Sequence, residues 1–284
     1  MNYQVLLYYY YGVLPDAAEL VASQKNLCKE LGLTGRLIIA EEGLNGTLEG
    51  TVENTEKYVA QLMSDPRFAN IHMKRSVGTG NAFPKLSVKL RNEIVSAHLG
   101  EEDFNPATFT APYIQPGELK SWIDSGKDFV IIDMRNTYEH DAGHFVGSVL
   151  PECKNFRDLP SAVDKLMSLK DRTVVTVCTG GVRCEKAAGY LLKRGFSEVY
   201  QLFGGIVSYM EMYPNEDFQG KLYVFDRRVV MGFNTEDSKH TIVGRCKYCN
   251  QPCERFVNDD ATEGRPHFIC CSDCSVSRPQ LIPA

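Results

Sequence analysis

The residues of this chain best suited to chemistry lie in one short loop around a cysteine. Cys178 ends an apolar, β-branched run, and Gly180, Gly181 and Arg183 follow it. Glycines let the backbone turn its N–H groups inward, a helix beginning near Cys184 adds the positive end of its dipole, and arginine adds a permanent cation. Each of these effects favours the thiolate over the thiol. The loop therefore predicts a reactive cysteine, with a buried packing thiol as the alternative.

A second group of candidate functional residues is a cysteine cluster towards the C-terminal end. Six of the ten cysteines lie between Cys246 and Cys274. Four of them form two CxxC pairs with 21 residues between the pairs, namely Cys246 with Cys249 and Cys271 with Cys274. This spacing is close to that of a zinc ribbon, and four thiolates suit tetrahedral zinc. The pattern predicts a structural zinc site, although Cys253 or Cys270 could replace a ligand, and redox-active or packed thiols are the alternative.

The segments on either side of Cys178 have an α/β pattern. Residues 129–133 and Thr173–Val177 are β-branched runs without polar alternation, which is typical of parallel strands covered on both faces. Helical patterns over residues 117–125, 159–168 and 185–194 accompany them, and a further strand is expected at Glu198–Leu202. A cysteine at the carboxyl end of such a strand lies where open α/β sheets bind their ligands.

The first ~95 residues alternate between strand and helix patterns. Strands are expected at residues 3–12, 35–40, 47–49, 71–76 and Leu86–Leu90, and helices at residues 16–31 and after a capping Thr51. The order β-α-β-β-α-β predicts a ferredoxin-like α+β domain. That fold by itself implies no particular function.

The composition is that of an ordinary soluble globular protein, with 43% hydrophobic and 24% charged residues. The longest apolar run, residues 5–13, is too short to span a bilayer and lacks the features of a signal peptide. We therefore expect a cytoplasmic protein without a membrane partner, and no obligate protein partner is evident. In that compartment cysteines serve as metal ligands or catalytic thiols more often than as disulfides.

Charge is distributed unevenly along the chain. The net charge of −5 argues against indiscriminate binding of nucleic acid, because counterion release needs clustered Lys and Arg. Between Arg67 and Arg91, however, every charged residue is basic. This run is either a solvated sheet edge or a face that contacts phosphates. The candidates for RNA binding are Lys74, Arg75, Lys85, Lys89 and Arg91.

Residues 116–214 resemble the rhodanese homology domain. Four residues separate Cys178 from Arg183, as in the active-site loop where that family carries a persulfide on its cysteine. Phosphatases that share the fold have a longer loop, so the smaller cradle here suits a sulfur atom better than a phosphate. Further landmarks of the family occur in the expected order: Asp133, Arg135, Glu139, Gly143, His144, Gly147, Leu202, Gly204 and Gly205.

This resemblance makes two upstream residues candidates for the catalytic site. Asp133 is expected to hydrogen-bond loop backbone. Arg135 is expected either to help bind an anion or to pair with Glu139. His144 is expected to pack rather than to act as a base.

Three stretches resemble the bacterial oxygen-dependent tRNA uridine hydroxylases, namely residues 39–47, 89–95 and 178–187. Together with the cysteine-rich tail, this resemblance spans almost the whole chain. It implies hydroxylation of the wobble uridine of tRNA to 5-hydroxyuridine, with molecular oxygen as co-substrate and the tRNA anticodon region as partner. A thiosulfate-type sulfurtransferase that carries a persulfide on Cys178 is the alternative.

Two roles for Cys178 fit a hydroxylation. Its thiolate or persulfide could add to C6 of uracil and make C5 electron-rich, or a sulfur bound to it could reductively activate oxygen. Cys184 either forms a disulfide with Cys178 or packs the start of the helix. Anticodon bases stack on exposed aromatic rings, so the run Tyr8, Tyr9, Tyr10 and Tyr11 offers stacking platforms unless it is a core strand.

The expected fold class is therefore mixed α/β, with a parallel sheet in the central part. Residues 1–97 are assigned to a ferredoxin-like, or acylphosphatase-like, domain and residues 98–115 to a linker. Residues 116–214 are assigned to a rhodanese-like catalytic domain and residues 215–284 to a cysteine-rich, zinc-binding region.

Overall fold

The N-terminal part is a mixed, mostly antiparallel sheet with two helices on one face. The computed structural model describes residues 2–151 and 155–284. The first elements are β1 (Tyr3–Tyr11), α1 (Ala17–Glu30), β2 (Thr34–Ala40), β3 (Gly43–Thr51), α2 (Val52–Met63), β4 (Lys74–Gly78) and β5 (Leu86–Leu90). The strand order is β4-β1-β3-β2-β5, with β5 parallel to β2 and the other neighbours antiparallel. The predicted order of elements is confirmed, and β5 extends the four-stranded arrangement by one edge strand.

Strand alternation separates two faces of this sheet. Leu6 and Tyr8 of β1 pack beneath the helices in the N-terminal core, whereas the intervening Leu7 packs against the core of the central domain. Thr51 caps α2 as predicted, since its hydroxyl accepts the N–H of Asn54 at 3.2 Å. The helix-free face of the sheet is therefore the one directed at the rest of the molecule.

The central part is a parallel sheet covered by helices. Its elements are β6 (Tyr113–Ile114), α3 (Pro116–Asp124), β7 (Val130–Asp133), α4 (Thr137–His140), β8 (Gly143–Phe145), α5 (Leu159–Lys165), β9 (Thr173–Val177), α6 (Val182–Lys193), β10 (Glu198–Leu202) and α7 (Gly205–Met212). The strand order is β6-β10-β9-β7, and all three neighbouring pairs are parallel. The predicted parallel sheet is confirmed, including strands at Thr173–Val177 and Glu198–Leu202.

The sheet begins earlier than the sequence suggests. Tyr113 and Ile114, which the sequence analysis assigns to the linker, form the edge strand β6 because they pair in register with Gln201 and Leu202. The preceding segment is also anchored, since Asp103 accepts a hydrogen bond from the buried ammonium of Lys186 at 2.6 Å. These contacts hold residues 103–114 against the central domain.

The C-terminal part is built from short strands. They are β11 (Phe218–Gly220), β12 (Leu222–Tyr223), β13 (Val230–Met231), β14 (Phe256–Asp259), β15 (His267–Ile269) and β16 (Leu281–Pro283), with α8 (Ser272–Val276) between the last two. β11 pairs with β8 of the central part, and the order β15-β14-β16 forms a separate small sheet. Among the residues that the structure describes, none of the helices combines the length and apolar character needed to cross a bilayer.

Candidate active site and metal centre

Cys178 lies at the point where β9 ends and the loop to α6 begins. Gly181 precedes the first residue of α6 and has φ of +104°, a backbone conformation that favours glycine. This conformation directs the Gly181 N–H to the Cys178 sulfur, with a nitrogen–sulfur distance of 3.2 Å. The cysteine side chain is fully buried. As predicted, the backbone of the loop directs N–H groups inward, and the Gly181 N–H donates to the Cys178 sulfur.

The surroundings of Cys178 favour its charged form. Burial alone would raise the pKa of this thiol, but the S–H of Cys184, the Arg183 guanidinium and the N–H groups of Cys184 and Gly181 outweigh it. Together they lower the pKa of Cys178 to about 6. Burial, together with the same contact, raises the pKa of Cys184 well above its ordinary value. At neutral pH the loop therefore holds one thiolate and one thiol, with Cys184 as the donor.

Arg183 is fixed by a buried carboxylate. Its guanidinium donates to the two Glu139 oxygens at 2.6 and 2.7 Å and to the Thr179 hydroxyl at 3.1 Å. Glu139 is itself held by the backbone N–H of Asn136 at 3.0 Å, as part of the cap of α4. The bidentate geometry fixes the orientation of the guanidinium beside the Cys178 loop.

The upstream candidates Asp133 and Arg135 lie together in the interior, with both side chains fully buried. The Asp133 carboxylate accepts the Arg135 guanidinium at 2.6 Å and the Arg135 backbone N–H at 3.1 Å. Arg135 also donates to the backbone carbonyls of Glu139 and Gly143, at 3.3 and 2.7 Å. Its contact with Glu139 is thus through the backbone, and its ion-pair partner is Asp133. The pair supports the elements around the loop and does not line the cleft described below.

His144 packs as expected. Its ring stacks on that of His140, with 4.0 Å between the ring centroids. Its Nδ1 lies 2.9 Å from the His140 carbonyl oxygen. These contacts account for the side chain without a role as a base.

A cleft of about 310 Å³ opens above Cys178 between the central domain and the N-terminal sheet. Its volume lies at the lower end of the ~300–1,000 Å³ typical of small-ligand sites. The N-terminal sheet supplies one wall, from side chains on its helix-free face, and the Cys178 loop supplies the floor. Residues lining the cleft include Leu7, Tyr9, Arg36, Ile38, Asn45, Thr47, Asn136, Phe156, Cys178, Thr179, Arg183 and Phe225. The reactive loop is therefore one side of a composite pocket.

Several of these lining residues were missed by the sequence analysis. Arg36 is an exposed polar side chain in a strand that otherwise reads as apolar, and this break in the pattern could have revealed it. Phe225, which is 46% exposed, reaches the cleft from the C-terminal part, and no local sequence signal connects it with Cys178. Such a connection depends on the arrangement of domains.

The tyrosine run of β1 forms domain contacts rather than exposed platforms. Tyr8 is buried and its hydroxyl lies 2.6 Å from that of Tyr58, while the Tyr10 ring packs on Phe68. On the other face, the Tyr9 hydroxyl donates to Glu185 at 2.9 Å and the Tyr11 hydroxyl to the Val182 carbonyl at 3.3 Å. Glu185 and Val182 both belong to α6. The interpretation of this run as a core strand therefore fits the structure better than base stacking.

The basic run is divided between opposite edges of the N-terminal sheet. Lys74 and Arg75 lie on β4, whereas Lys89 lies on β5, and these are the two edge strands. Lys74 is buried, and Arg75 is paired with Glu56 at 2.8 Å. Arg75 is exposed at the β4 edge, and three further members are exposed at the β5 edge, namely Lys85, Lys89 and Arg91. The five RNA-binding candidates thus do not form one continuous face.

The two CxxC pairs come together as a candidate metal centre. The sulfur atoms of Cys246, Cys249, Cys271 and Cys274 all lie within 4.8 Å of one another, and those of Cys249 and Cys271 are 3.7 Å apart. Tetrahedral coordination with metal–sulfur bonds of ~2.3 Å requires sulfur–sulfur distances of ~3.8 Å. Four thiol ligands at this spacing fit a metal ion.

The other two cysteines of the tail lie outside this group of four. Cys253 sulfur accepts the Arg255 N–H at 3.3 Å, and Cys270 is fully buried beside the cluster. Each packs in the small core of the C-terminal part. The geometry thus favours the four predicted ligands over Cys253 or Cys270.

Family models and known proteins match this architecture. Residues 3–94 match the UPF0176 acylphosphatase like domain, residues 115–212 the rhodanese-like domain and residues 219–282 the rhodanase C-terminal model. A Bacillus cytotoxicus protein named tRNA uridine(34) hydroxylase is 42% identical over 94% of this chain and 82% of its own length. A Staphylococcus saprophyticus protein of the same name is 44% identical over 91% of this chain and 81% of its own length. The crystal structure of a rhodanese-like domain protein from Staphylococcus aureus is 28% identical and covers 34% of this chain and 90% of that one, with a TM-score of 0.30.

Proposed function

Because this chain belongs to the tRNA uridine(34) hydroxylase family, we propose that it hydroxylates the wobble uridine of tRNA to 5-hydroxyuridine, with Cys178 as the reactive group. The observation that carries the proposal is the position of Cys178 among the residues that line the cleft, with a pKa lowered to about 6. A thiolate is the nucleophilic form of cysteine. Similarity to the hydroxylases over 94% of this chain supports a substrate that also engages the domains beside the cleft.

The lining of the cleft suits a uracil base that has been turned out of the anticodon stack. Asn45 and Asn136 offer amide donors and acceptors for the base edge, and exposed Phe225 offers a ring for stacking. Arg36 lies at the same cleft and supplies a cation for the adjoining phosphate. Together these residues supply edge recognition, stacking and backbone attraction in one pocket.

The proposed chemistry is nucleophilic covalent catalysis. The Cys178 thiolate adds to C6 of uracil, and the electron pair of the C5–C6 double bond moves to C5 and the C4 carbonyl. C5 then attacks an electrophilic oxygen atom derived from molecular oxygen. Loss of the C5 proton and departure of the thiolate from C6 restore the double bond and give 5-hydroxyuridine.

The hydroxylation also requires a source of two electrons. One atom of molecular oxygen enters the C5–H bond, and the other leaves as water after taking up two electrons and two protons. A two-electron reductant such as a thiol pair must therefore complete each turnover. The alternative role of Cys178, in which a sulfur bound to it reduces oxygen, requires the same overall balance.

The exposed cations at the β5 edge are proposed to hold the tRNA backbone. Lys89 pairs in register with Ile38, which lines the cleft, so this edge adjoins the opening above Cys178. Phosphate contacts position a nucleic acid without selecting its sequence. Lys85, Lys89 and Arg91 are accordingly assigned to orientation of the anticodon arm, and the cleft is assigned to the base.

Zinc is the metal proposed for the cluster of four cysteines. Cys246, Cys249, Cys271 and Cys274 would hold it through their thiolates in a closed site. Bound zinc would supply structural stabilisation, because it ties two distant segments of the C-terminal part together. The reaction at Cys178 is not routed through this centre.

The proposal is tested in a strain that lacks the gene and is complemented with variants. Wild type should restore 5-hydroxyuridine in nucleosides of total tRNA, Cys178→Ala should restore none, and Cys28→Ala, which removes a core thiol of the N-terminal domain, should restore it. Growth under ¹⁸O₂ should add two mass units to the modified nucleoside. Unchanged 5-hydroxyuridine in the Cys178→Ala strain would exclude the proposal. Thiosulfate:cyanide sulfur transfer without any effect on tRNA would favour the sulfurtransferase alternative.

A further inference from the structure

Lys74 occupies an unusual position for a lysine. It lies on β4 in register with Leu7 of β1, and its residue surface is only 7% exposed. Among the residues that the structure describes, its ammonium has no hydrogen-bond partner. An ammonium with three donors is costly to bury in this way. Packing alone would be served better by an apolar side chain of the same length.

The residues around the Lys74 ammonium place it close to the Cys178 loop. The ammonium lies 5.2 Å from the centroid of the Tyr9 ring, and the Tyr9 hydroxyl would approach a Cβ placed on Gly181 to 2.9 Å. Burial lowers the pKa of Lys74 to about 8, while the negative charges of Cys178 and Glu185 oppose that change. Tyr9 therefore lies against both the Lys74 ammonium and the Cys178 loop, which places the ammonium near the thiolate at the domain boundary.

The second cation near the thiolate is already compensated. Arg183 donates to both carboxylate oxygens of Glu139, and both side chains are buried. Glu139 therefore weakens the effect of the Arg183 charge on the Cys178 thiolate, although the guanidinium still helps to lower the pKa of Cys178. Within the described part of the chain, the Lys74 ammonium has no hydrogen-bonded carboxylate, although the negative charge of Glu185 acts on it together with that of Cys178.

We propose that Lys74 is a positioning residue for Cys178, an ammonium supplied by the N-terminal sheet that holds the catalytic sulfur in its thiolate form. This inference rests on the proposed function insofar as Cys178 is the reactive group. It assigns a role to the N-terminal domain beyond binding tRNA. It also replaces phosphate contact as the role of Lys74, because the ammonium lies inside the molecule.

Other titratable groups around the two residues keep one charge state near neutral pH. Burial raises the pKa values of Tyr9, Tyr11 and Cys184 and lowers that of His72. Tyr113 of β6 shares the Glu185 carboxylate with Tyr9, and burial raises its pKa as well. Between pH 6 and pH 8 the titrating partners are therefore Cys178 and Lys74.

The test measures the reactivity of Cys178 in the full-length protein. Wild type, Lys74→Met and Lys57→Met are treated with iodoacetamide from pH 5 to pH 9, and alkylation of the Cys178 peptide is followed by mass spectrometry. Lys57 is an exposed lysine of α2, so its variant controls for the loss of one positive charge. Removing the buried cation should raise the apparent pKa of alkylation from about 6 to about 7, which slows the reaction at pH 6 about fivefold. Lys57→Met should follow the wild-type profile.

A purely structural role predicts a different result. It would slow alkylation equally at every pH. The proposed electrostatic role instead predicts a rate at pH 9 that matches wild type, and a melting temperature of Lys74→Met that equals or exceeds that of wild type because methionine removes an unsatisfied buried charge. Profiles that superimpose at every pH, or a rate reduced equally at every pH, would overturn the inference. The alkylation profiles test the role of Lys74 without tRNA, whereas the formation of 5-hydroxyuridine by wild type tests the proposed function. A negative result in one assay is therefore distinguishable from a negative result in the other.

Discussion

The hydroxyl oxygen of Tyr9 lies where it would approach a Cβ atom on Gly181 to 2.9 Å. Tyr9 belongs to β1 of the N-terminal sheet, and Gly181 belongs to the loop that holds Cys178. The neighbouring Gly180 is covered in the same way by Leu7, whose Cδ2 would lie 2.9 Å from an added Cβ. The reactive loop is therefore shaped both by its own backbone conformation and by close contact with another domain.

Substitution of Gly181 by alanine should disrupt this contact. The residue has φ of +104°, and the new methyl group would meet the Tyr9 ring, so strain and steric overlap act together. We expect slower alkylation of Cys178 at pH 7 and a lower melting temperature. Gly126→Ala is the matched control, since Gly126 has φ of +66° but a Cβ there would meet no atom within 4 Å. Gly126→Ala should lower the free energy of unfolding by only ~1–2 kcal/mol, the cost of a left-handed backbone conformation, and should leave alkylation unchanged. Equal effects of both substitutions would contradict a role for the contact between Tyr9 and Gly181.

Neutralising Glu139 should destabilise the protein. Glu139→Gln leaves the Arg183 guanidinium buried without its carboxylate, and loss of one partner of a buried pair typically costs ~3–5 kcal/mol. Because glutamine retains one acceptor oxygen, we expect the lower end of that range in urea unfolding. The control is Glu53→Gln, which breaks the exposed pair with Lys57 and should leave the free energy of unfolding close to that of wild type. A loss for Glu139→Gln as small as that control would show that the pair does not stabilise the fold.

The chemistry of the site could be predicted from sequence wherever it depends on local spacing. The Cys178 loop and the two CxxC pairs are short motifs whose geometry follows from neighbouring backbone, and the structure brings their members together. The strands around Cys178 could be predicted for a related reason, because buried parallel strands have a distinctive apolar pattern.

The placement of the basic residues between Arg67 and Arg91 could not be predicted from local sequence. Lys74 and Lys89 are close in sequence, but the strand order places β4 and β5 at opposite edges of the sheet. Strand order depends on long-range pairing that charge patterning does not contain. The burial of Lys74 likewise follows from docking of the sheet on the central domain, and a single strand sequence cannot reveal that contact.

The candidate metal centre gives a prediction with a direct chemical readout. The purified protein should contain about one zinc ion per chain, because the four clustered thiols match a single tetrahedral ion. Cys249→Ser should lose the metal in elemental analysis, since it removes one of the four ligands. Cys253→Ala should keep it, because this sulfur lies outside the cluster and accepts a backbone N–H. Loss of zinc from Cys253→Ala with retention in Cys249→Ser would reverse the ligand assignment.

The exposed edge of the N-terminal sheet predicts a specific salt dependence of tRNA binding. Each phosphate neutralised by a cation contributes about 0.9 to the slope of log K against log salt concentration in duplex nucleic acid, and ~0.7 in single strands. Replacing Lys85, Lys89 and Arg91 with serine should therefore weaken binding and reduce the slope by ~2–3. The control replaces Lys25, Lys29 and Lys57, which are exposed on the helices of the opposite face. This control variant also removes three positive charges, so its binding of tRNA should change only by the small effect of the altered net charge. Fluorescence anisotropy with labelled tRNA at several salt concentrations distinguishes the two, and equal slopes for both triple variants would exclude the β5 edge as the binding surface.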